Sequence, residues 1–321
     1  MHAVGVDIGG TKIAAGVVDD DGAIVAQARR DTSPNDADGI DRAIAEVVAD
    51  FAKDYEFDAV GLAAAGFVSA DRESVIFGPN ISAWRNYPLA SKVAALIERD
   101  VTVVVENDAN AAGWAEFQFG AARDVQEMVL LTLGTGLGAA IVVGGELVRG
   151  ASGFAAELGH VRVVPDGHLC GCGHRGCWEQ YASGSALVRE ARAVAIASPG
   201  RAEAILERAG GDAGSIVGPH VTAAAEAGDP LAIELLSELG RWVGEGCASL
   251  ASVNDPELFV VGGGVIAAGD LVLGPARDAF ASALPAADFR PLAPIVAADM
   301  GNDAGIVGAA ALARIGPREA R

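Results

Sequence analysis

The sequence predicts an α/β fold with two domains, and three observations lead to this prediction. The chain has 321 residues, a length that suits two domains of ordinary size. Short apolar runs rich in Val, Ile and Ala alternate with stretches of helical periodicity, which is typical of α/β proteins. A segment near the N-terminus recurs near the middle of the chain, which indicates that two halves begin in the same way.

The recurring segment is ungapped. Val4–Val18 aligns with Val129–Val143 at an offset of 125 positions, and both copies place a Gly/Thr turn between two apolar runs. This pattern predicts a β-hairpin, and the turn formers Asp19–Gly22 and Gly144–Gly145 lead from each copy toward a third strand. Common hairpin chemistry is the alternative to duplication, because Gly, Ala and Val are abundant. The ungapped length favours duplication, so we expect each domain to open with a β-meander.

Four helices follow from periodicity and capping residues. An apolar stripe from Ile40 to Phe51 at i, i+4, i+7, i+8 and i+11 predicts the first helix. The second helix begins at Pro88 and places four apolar residues on one face: Leu89, Val93, Leu96 and Ile97. Asp229 before a proline opens the third helix, and Asp303 is expected to cap the fourth, which is the last in the chain.

Three apolar runs have the length of buried strands, namely 59–64, 101–105 and 258–261. The second run leads directly into Glu106–Asn110. Since ligands bind beyond the carboxyl ends of parallel strands, Asp108 is placed for chemistry there, for example to take a proton from a hydroxyl that attacks a γ-phosphoryl group. The alternative is that Asn107 or Asp108 only caps the helix that follows.

Composition and charge exclude several functions. The chain carries 23 Lys+Arg against 43 Asp+Glu, and its net charge of −20 argues against nucleic acid or an anionic membrane surface as partner. The N-terminus shows no basic region followed by an apolar one, so we expect no secretory signal and a cytoplasmic protein. Met128–Gly145 lacks charge over 18 residues, but its glycines favour strand, turn and strand over a membrane helix.

Two glycine-rich turns are candidate phosphate sites, because glycine lets backbone N–H groups approach an anion closely. The first turn adds a hydroxyl, a positive charge and a carboxylate that could hold Mg²⁺ through water. Either turn alone suits a tight hairpin equally well, but the pair favours a nucleoside triphosphate. The residues of the two turns are Asp7, Gly9, Gly10, Thr11 and Lys12 in the first, and Gly134, Thr135 and Gly136 in the second.

The second turn also fits a different motif. Residues 134–139 match G-x-G-x-x-A, with Glu157 about 20 residues further on, which is the pattern of an NAD-dependent dehydrogenase. That motif requires a helix directly after the turn, whereas residues 140–145 are predicted as strand and turn. The P-loop pattern G-x-x-x-x-G-K-[ST] does not occur in the sequence.

Three of the four cysteines, Cys170, Cys172 and Cys177, lie within eight residues. In a cytoplasmic chain this spacing favours a metal over a disulfide or merely reactive thiols. A structural zinc ion takes four ligands, so one is still missing. The candidates for the fourth ligand are His160, His168 and His174.

Together these motifs resemble the ROK family of bacterial sugar kinases and repressors, and within it the actinobacterial type of glucokinase. The resemblance extends along the whole chain. Its most specific part is Glu157-Leu158-Gly159-His160, followed by the C-x-C-x-x-x-x-C run and Glu179. It implies an actin-like ATPase (ribonuclease H-like) fold with an interdomain cleft, a zinc-stabilised loop, and two domains that comprise residues 1–112 plus 303–321 and residues 113–302.

The resemblance also implies residue roles. Asp108 is the general base toward the sugar 6-hydroxyl, and Mg²⁺ accompanies ATP at the two turns. The sugar is bound by Gly66, Asn80, Asn107, Asp108, Glu157, His160 and Glu179. The adenosine lies against Gly262, Gly263 and Gly264. Structural zinc is held by His160, Cys170, Cys172 and Cys177.

The activity implied is ATP-dependent phosphorylation of D-glucose to glucose 6-phosphate by a dimer or tetramer. One alternative is another sugar kinase of the family, acting on N-acetylglucosamine, N-acetylmannosamine, mannose or fructose. A second is a sugar-responsive repressor, which carries a DNA-binding helix-turn-helix ahead of the kinase-like body. The start of the first turn at Asp7 and the acidic charge disfavour the repressor.

Overall fold

The computed structural model describes residues 1–316, which fold into two compact units. Unit 1 comprises Met1–Val125, Ala140–Ala156 and the described part of Asp299–Arg321. Unit 2 comprises Gln126–Ala139 and Glu157–Ala298. The domain division at residues 112 and 302 stays a prediction.

The described residues form strands and helices in alternation. The strands are β1 His2–Ile8, β2 Lys12–Val18, β3 Ile24–Asp31, β4 Phe57–Ala64, β5 Phe67–Val68, β6 Val75–Phe77, β7 Arg85–Tyr87, β8 Thr102–Asn107, β9 Met128–Leu133, β10 Leu137–Val143, β11 Glu146–Leu147, β12 Leu258–Gly262 and β13 Ile295–Ala297. The helices are α1 Ala37–Phe51, α2 Leu89–Ala94, α3 Asp108–Phe119, α4 Gly184–Ala197, α5 Glu203–Arg208, α6 Gly218–Glu226, α7 Pro230–Asn254, α8 Asp270–Ala283 and α9 Ala304–Ile315.

Unit 1 contains a five-stranded sheet of order β3-β2-β1-β4-β8. The first three strands form the antiparallel meander that the sequence predicts, β4 pairs in parallel with β1, and β8 pairs in parallel with β4. The register places Asp7 of β1 opposite Ala63 of β4, and Ala63 opposite Glu106 of β8. The carboxyl ends of three parallel strands therefore meet at one edge of this sheet.

Two helices cover this sheet. The predicted stripe of α1 is buried from Ile40 to Phe51, which confirms that helix. The terminal helix α9 approaches β1 and β4 so closely that a Cβ at Gly5 or Gly61 would collide with the backbone oxygens of Ile306 and Ala309. Only glycine permits this close packing, and it fixes the start of α9 near the edge that carries Asp7.

Two details of the helices differ from the prediction. Helix α2 ends at Ala94, and Leu96 is 46% exposed, so the predicted apolar face does not extend past the second turn. Asp303 precedes α9 but makes no capping hydrogen bond with its side chain. Its backbone is already helical because a 3₁₀ turn leads into α9, whereas a capping side chain needs an extended backbone.

In unit 2, β9, β12 and β13 pair in parallel, with Gly262 opposite Thr132. Helix α7 packs along α8, and its N-cap Asp229 accepts from the backbone N–H of Ala232 at 2.8 Å, as the sequence predicts. The segment from Glu157 to Gln180 contains two short 3₁₀ turns and two isolated β-bridges. This loop carries all the predicted metal ligands.

The second copy of the repeat also follows the prediction. β9 and β10 flank the Gly/Thr turn, and β10 pairs antiparallel with β11, the expected third strand. The uncharged stretch Met128–Gly145 is thus strand, turn and strand. No helix among residues 1–316 is both long and apolar enough to cross a bilayer.

Candidate functional site

Two polar residues at the end of β8, Asn107 and Asp108, make different contacts at the start of α3. Asn107 is the N-cap of α3: its Oδ1 accepts from the Asn110 backbone N–H at 3.0 Å, and its Nδ2 donates to the Gly66 carbonyl at 3.0 Å. Asp108 is the first residue of the helix, and its Oδ1 accepts from the Ala109 N–H at 2.9 Å. Capping therefore falls to Asn107, and the carboxylate of the half-buried Asp108 is not needed for it.

Two carboxylates lie near one another at this edge. Burial raises the pKa of Asp108 above its ordinary value, although N–H groups at the helix start oppose the shift. The pKa of Asp7 is raised to about 6 by burial and by the negative charge of Asp108, and the charge of Lys12 offsets part of this. Such a pair favours either a proton or a divalent cation, because each carboxylate destabilises the ionised form of the other.

The first glycine turn lies at the same edge of unit 1. The backbone N–H of Gly9 donates to the Lys12 carbonyl at 2.9 Å, and the Thr11 and Lys12 side chains are exposed. A Cβ at Gly10 would lie 3.3 Å from the carbonyl oxygen of Asn80, which is itself exposed. The turn and the predicted sugar ligand Asn80 are therefore neighbours.

Gly66 adopts a backbone conformation that only glycine tolerates. Its φ is +145°, and a Cβ would collide with the carbonyl oxygen of Phe77. The bond from Asn107 to its carbonyl joins the segment after β4 to the segment after β8. Unit 1 thus brings the predicted residues of both segments to one place.

Unit 2 places the other two glycine turns side by side. The Gly134 N–H donates to the Gly136 carbonyl at 3.0 Å, which closes the turn after β9. Gly263 has a φ of +88°, and a Cβ there would press on the backbone of Leu133. The turns after β9 and β12 therefore meet at the carboxyl edge of this sheet.

A cavity of about 1000 Å³ opens beside these turns, a volume that suits a nucleotide. Gly134, Thr135 and Gly264 line it together with α4 and α6. Its apolar wall comprises Leu187, Val188, Ile196 and Val265, and its polar groups include Ser185, Arg189, Arg192, Thr222 and Glu226. No sequence motif marks the helical wall, because ordinary apolar residues of a helix carry no signature of the cavity that they line.

The cysteine cluster has the dimensions of a tetrahedral metal site. One ligand atom from each of His160, Cys170, Cys172 and Cys177 lies within 4.8 Å of all the others. The Cys172 and Cys177 sulfurs are 3.6 Å apart, and Cys170 Sγ lies 3.7 Å from His160 Nδ1. Zinc–sulfur bonds of about 2.3 Å give a tetrahedron with edges of about 3.8 Å, so these residues could hold zinc.

The other candidate histidines are not part of this group. His168 Nε2 lies 3.7 Å from a carboxylate oxygen of Glu190. His174 is exposed, and its Nδ1 lies 3.9 Å from Cys172 Sγ and 3.4 Å from the Cys172 carbonyl. The geometry therefore selects His160 as the fourth member.

Glu179 lies between the cysteine cluster and the second glycine turn. Its Oε1 accepts from Cys170 Sγ at 2.9 Å, and its Oε2 lies 2.6 Å from where a Cβ of Gly136 would be. The neighbouring Trp178 anchors the loop through a 2.9 Å bond from Nε1 to the Trp242 carbonyl. Glu157, at the other end of the loop, is half-buried, and its backbone carbonyl accepts from the His160 backbone N–H at 3.1 Å.

Residues 137–143 after the second turn form strand β10 and not a helix. The G-x-G-x-x-A match therefore lacks the helix N-terminus that a dinucleotide motif uses to bind pyrophosphate. The dehydrogenase alternative has no structural support in this segment.

Residues 3–315 match the ROK family. The chain belongs to the ROK family. It is 51% identical to a glucokinase of Streptomyces coelicolor over 97% of each chain, and 34% identical to an N-acetylmannosamine kinase of Escherichia fergusonii over 98% of this chain and 99% of the other. A ROK family glucokinase from Streptomyces griseus, solved in complex with glucose and AMPPNP, is 51% identical, with a TM-score of 0.88 over 98% of this chain and 100% of that one.

Membership of the ROK family confirms the fold prediction. The protein has the mixed α/β, two-domain fold of the ROK sugar kinases, which is of the actin-like ATPase kind. The two copies of the sequence repeat form the β1–β3 meander at the start of the chain and β9–β11 near its middle.

Proposed function

We propose that this ROK protein transfers the γ-phosphoryl group of ATP to the 6-hydroxyl of D-glucose, giving ADP and glucose 6-phosphate. The observation that carries the proposal is the 51% identity with glucokinases over nearly the whole chain, against 34% with an N-acetylmannosamine kinase of similar coverage. The edge of unit 1 supports it, since a carboxylate available as a base and a glycine turn suited to phosphate occur in the same unit.

In the proposed reaction the carboxylate of Asp108 accepts the proton of the sugar 6-hydroxyl as O6 bonds to the γ-phosphorus. The bond between that phosphorus and the β,γ-bridging oxygen breaks, and ADP leaves with the electron pair. Burial helps, because a base whose pKa is raised holds the transferred proton more tightly. Mg²⁺, when bound, neutralises charge on the phosphates, and Asp7 is the residue that would hold it through water.

The proposed sugar ligands present acceptors and donors for several hydroxyl groups. Asn107 keeps one Nδ2 hydrogen available after its bonds to Gly66 and Asn110 are made. Asn80 is exposed beside the first turn, and the carboxylates of Glu157 and Glu179 sit at the two ends of the metal loop. A set of fixed polar groups rejects sugars that leave one of them unpaired, which favours one stereochemistry.

The nucleotide is proposed to occupy the cavity of unit 2. Its apolar wall suits a purine and a ribose, whereas inorganic polyphosphate would leave that wall uncovered. Thr135 and the neighbouring glycines would donate to phosphate, and Gly262, Gly263 and Gly264 would let adenosine approach the backbone. The apolar wall therefore favours ATP over polyphosphate as donor.

Zinc is proposed as a structural ion held by His160 and the three clustered cysteines. Four protein ligands complete a tetrahedron and leave no position for substrate. Its role would be to order the loop, because Glu157 precedes the ligand His160 by three residues and Glu179 follows the ligand Cys177 by two. Three thiolate ligands also favour a reducing compartment, so we place the protein in the cytoplasm.

We propose that residues 1–112 with 303–321 act as one domain and residues 113–302 as the other.

We also propose that two or four copies of the chain assemble into an oligomer. Light scattering on the purified protein measures the mass, and a value near 32 kDa would contradict assembly.

A coupled assay over a panel of sugars and donors tests the activity. The panel contains glucose, mannose, fructose and the two N-acetylated amino sugars, each with ATP and with polyphosphate. We expect the highest kcat/KM with glucose and ATP. A higher value with N-acetylmannosamine would support the other kinase activity, and binding to DNA without any turnover would support the repressor.

A further inference from the structure

A buried carboxylate that has no assigned role directly precedes the proposed base. The side chain of Glu106 is 3% exposed. Its Oε1 accepts from the Asn107 backbone N–H at 3.2 Å and from Asn110 Nδ2 at 3.1 Å. These two bonds reach the residues on both sides of Asp108, so the orientation of Glu106 and that of the first turn of α3 depend on each other.

The other oxygen of Glu106 faces two arginines. Arg149 Nε donates to Oε2 at 2.8 Å, and a terminal nitrogen of the same guanidinium lies 2.7 Å from this oxygen. Arg72 Nε lies 3.4 Å from the same oxygen, and the Arg72 guanidinium also donates to the Leu312 and Gly316 carbonyls at the end of α9. One carboxylate thus joins β8, α3, α9 and the segment after β11.

The segment that carries Arg149 is itself fixed within unit 1. The Arg149 carbonyl accepts from the Ala155 N–H at 3.0 Å, and the ring of Phe154 meets that of Phe67 edge-on at 5.2 Å. The Arg149 side chain is 21% exposed, so a small cation from solvent can reach its position. The chain continues from here toward Glu157 and the metal loop.

We propose that Glu106 is a positioning residue for Asp108 and that Arg149 is the cation that fixes Glu106 in this position. The physical reason is that a buried carboxylate needs its charge-assisted partners and reorients when one is removed. Its reorientation would release the Asn107 N–H and the Asn110 side chain together, and with them the first turn of α3. This inference rests on the proposed role of Asp108 as base.

Arg149→Ala and Arg149→Lys test the cation, and Arg99→Ala is the matched control. Arg99 also lies in unit 1, is 26% exposed and pairs with Glu56 at 2.7 Å. We expect Arg149→Ala to lower kcat by about 10- to 100-fold while the KM for glucose changes by less than about threefold, because the geometry of the base is disturbed more than the sugar contacts. Arg149→Lys should retain more of kcat than Arg149→Ala, and Arg99→Ala should match the parent.

Guanidinium added to the Arg149→Ala enzyme provides a readout that general destabilisation would not give. We expect guanidinium at millimolar concentration to raise the kcat of Arg149→Ala at least severalfold. It should not raise the kcat of Glu106→Gln, which lacks the carboxylate. The double variant should be about as slow as Glu106→Gln alone, because both changes break the same contact.

Three results would overturn the inference: a kcat of Arg149→Ala equal to that of Arg99→Ala, a loss that guanidinium does not reverse, or single losses that multiply in the double variant. The parent enzyme separates this inference from the proposed function. A parent that phosphorylates no sugar would refute the function itself, whereas an active parent with unaffected variants would refute only the role of Glu106 and Arg149.

Discussion

The two copies of the sequence repeat share a backbone pattern but differ in the chemistry around their turns. The turn after β1 lies among charged groups, with Asp7 before it, Lys12 after it and Asp108 close by. The turn after β9 carries no charged residue of its own, although the Glu179 carboxylate lies against Gly136, and it borders a largely apolar cavity. In both, the glycines and a threonine offer N–H and hydroxyl donors to phosphate.

The two copies of the repeat therefore share a backbone scaffold, and the residues around each turn set its chemistry. Unit 1 carries the carboxylates that can hold a proton or a cation, and unit 2 carries the space for a nucleoside together with the metal loop. Changes in unit 1 should therefore mainly alter kcat, and changes in unit 2 should mainly alter nucleotide binding or stability.

The largest expected effect comes from the base in unit 1. Asp108→Asn keeps the size of the side chain but cannot accept the proton, so kcat should fall by about 10³-fold. Calorimetric titration should still show glucose binding within about threefold of the parent, because the sugar contacts remain. A variant with near-parental kcat would remove Asp108 from the mechanism and end the contrast between the units.

The next effect concerns the metal loop in unit 2. Cys172→Ser removes one of four ligands, so the zinc content of the purified protein should fall from one ion per chain to nearly none, and activity should drop by more than about tenfold. Elemental analysis and kcat/KM measure the two quantities. Cys247→Ala is the matched control, since Cys247 is buried in α7 outside the cluster. Full zinc content in Cys172→Ser would contradict the proposed site.

A smaller effect is expected at the second glycine turn. Thr135→Val removes a hydroxyl donor at the cavity, which should raise the KM for ATP by about tenfold and leave the KM for glucose unchanged. Thr102→Val, at the exposed start of β8, serves as control. Equal changes in both KM values would show that the second turn is not specific to the nucleotide.

The smallest effect concerns the free energy of unfolding and comes from the buried carboxylate of Asp7 in unit 1. Because the pKa of Asp7 is raised from 3.8 to about 6, the folded protein holds this proton more tightly than the unfolded chain does. The stability gained from it is present below pH 3.8 and is lost as the pH rises through 6. Asp7→Asn avoids that loss, so without ligands it should be more stable than the parent at pH 8, by at most about 3 kcal/mol.

Urea unfolding of the ligand-free proteins between pH 4 and pH 8 measures this difference. The gap between Asp7→Asn and the parent should grow up to about pH 6 and then stay constant. Asp21→Asn, on an exposed turn, is the matched control for loss of a carboxylate. A gap that shrinks with rising pH would show that the carboxylate of Asp7 is stabilised, and not strained, in its site.

Much of this architecture could be predicted from local patterns. The stripe of α1, the cap at Asp229 and the repeat each depend on residues close in sequence, and the structure agrees with them. The cap expected from Asp303 was wrong, because the preceding 3₁₀ turn sets its backbone and no residue pattern announces that turn.

The site could be predicted only where glycine, cysteine or acidic motifs mark it. The contacts of Glu106 could not be predicted from the sequence. Arg72 and Arg149 are isolated residues in connecting segments, and only the tertiary fold brings them to the carboxylate. The same holds for the cavity wall on α4 and α6, where ordinary helical residues become functional through their placement.

The central claim is that Asp108 directs a sugar 6-hydroxyl at the γ-phosphoryl group of a nucleotide. Phosphorus NMR of the parent enzyme with glucose, ATP and Mg²⁺ tests it most directly, because it identifies the acceptor atom and counts both products. We predict one glucose 6-phosphate for each ADP and no transfer to 6-deoxyglucose. Phosphate on a different hydroxyl, or ADP with free phosphate and unchanged sugar, would contradict the claim.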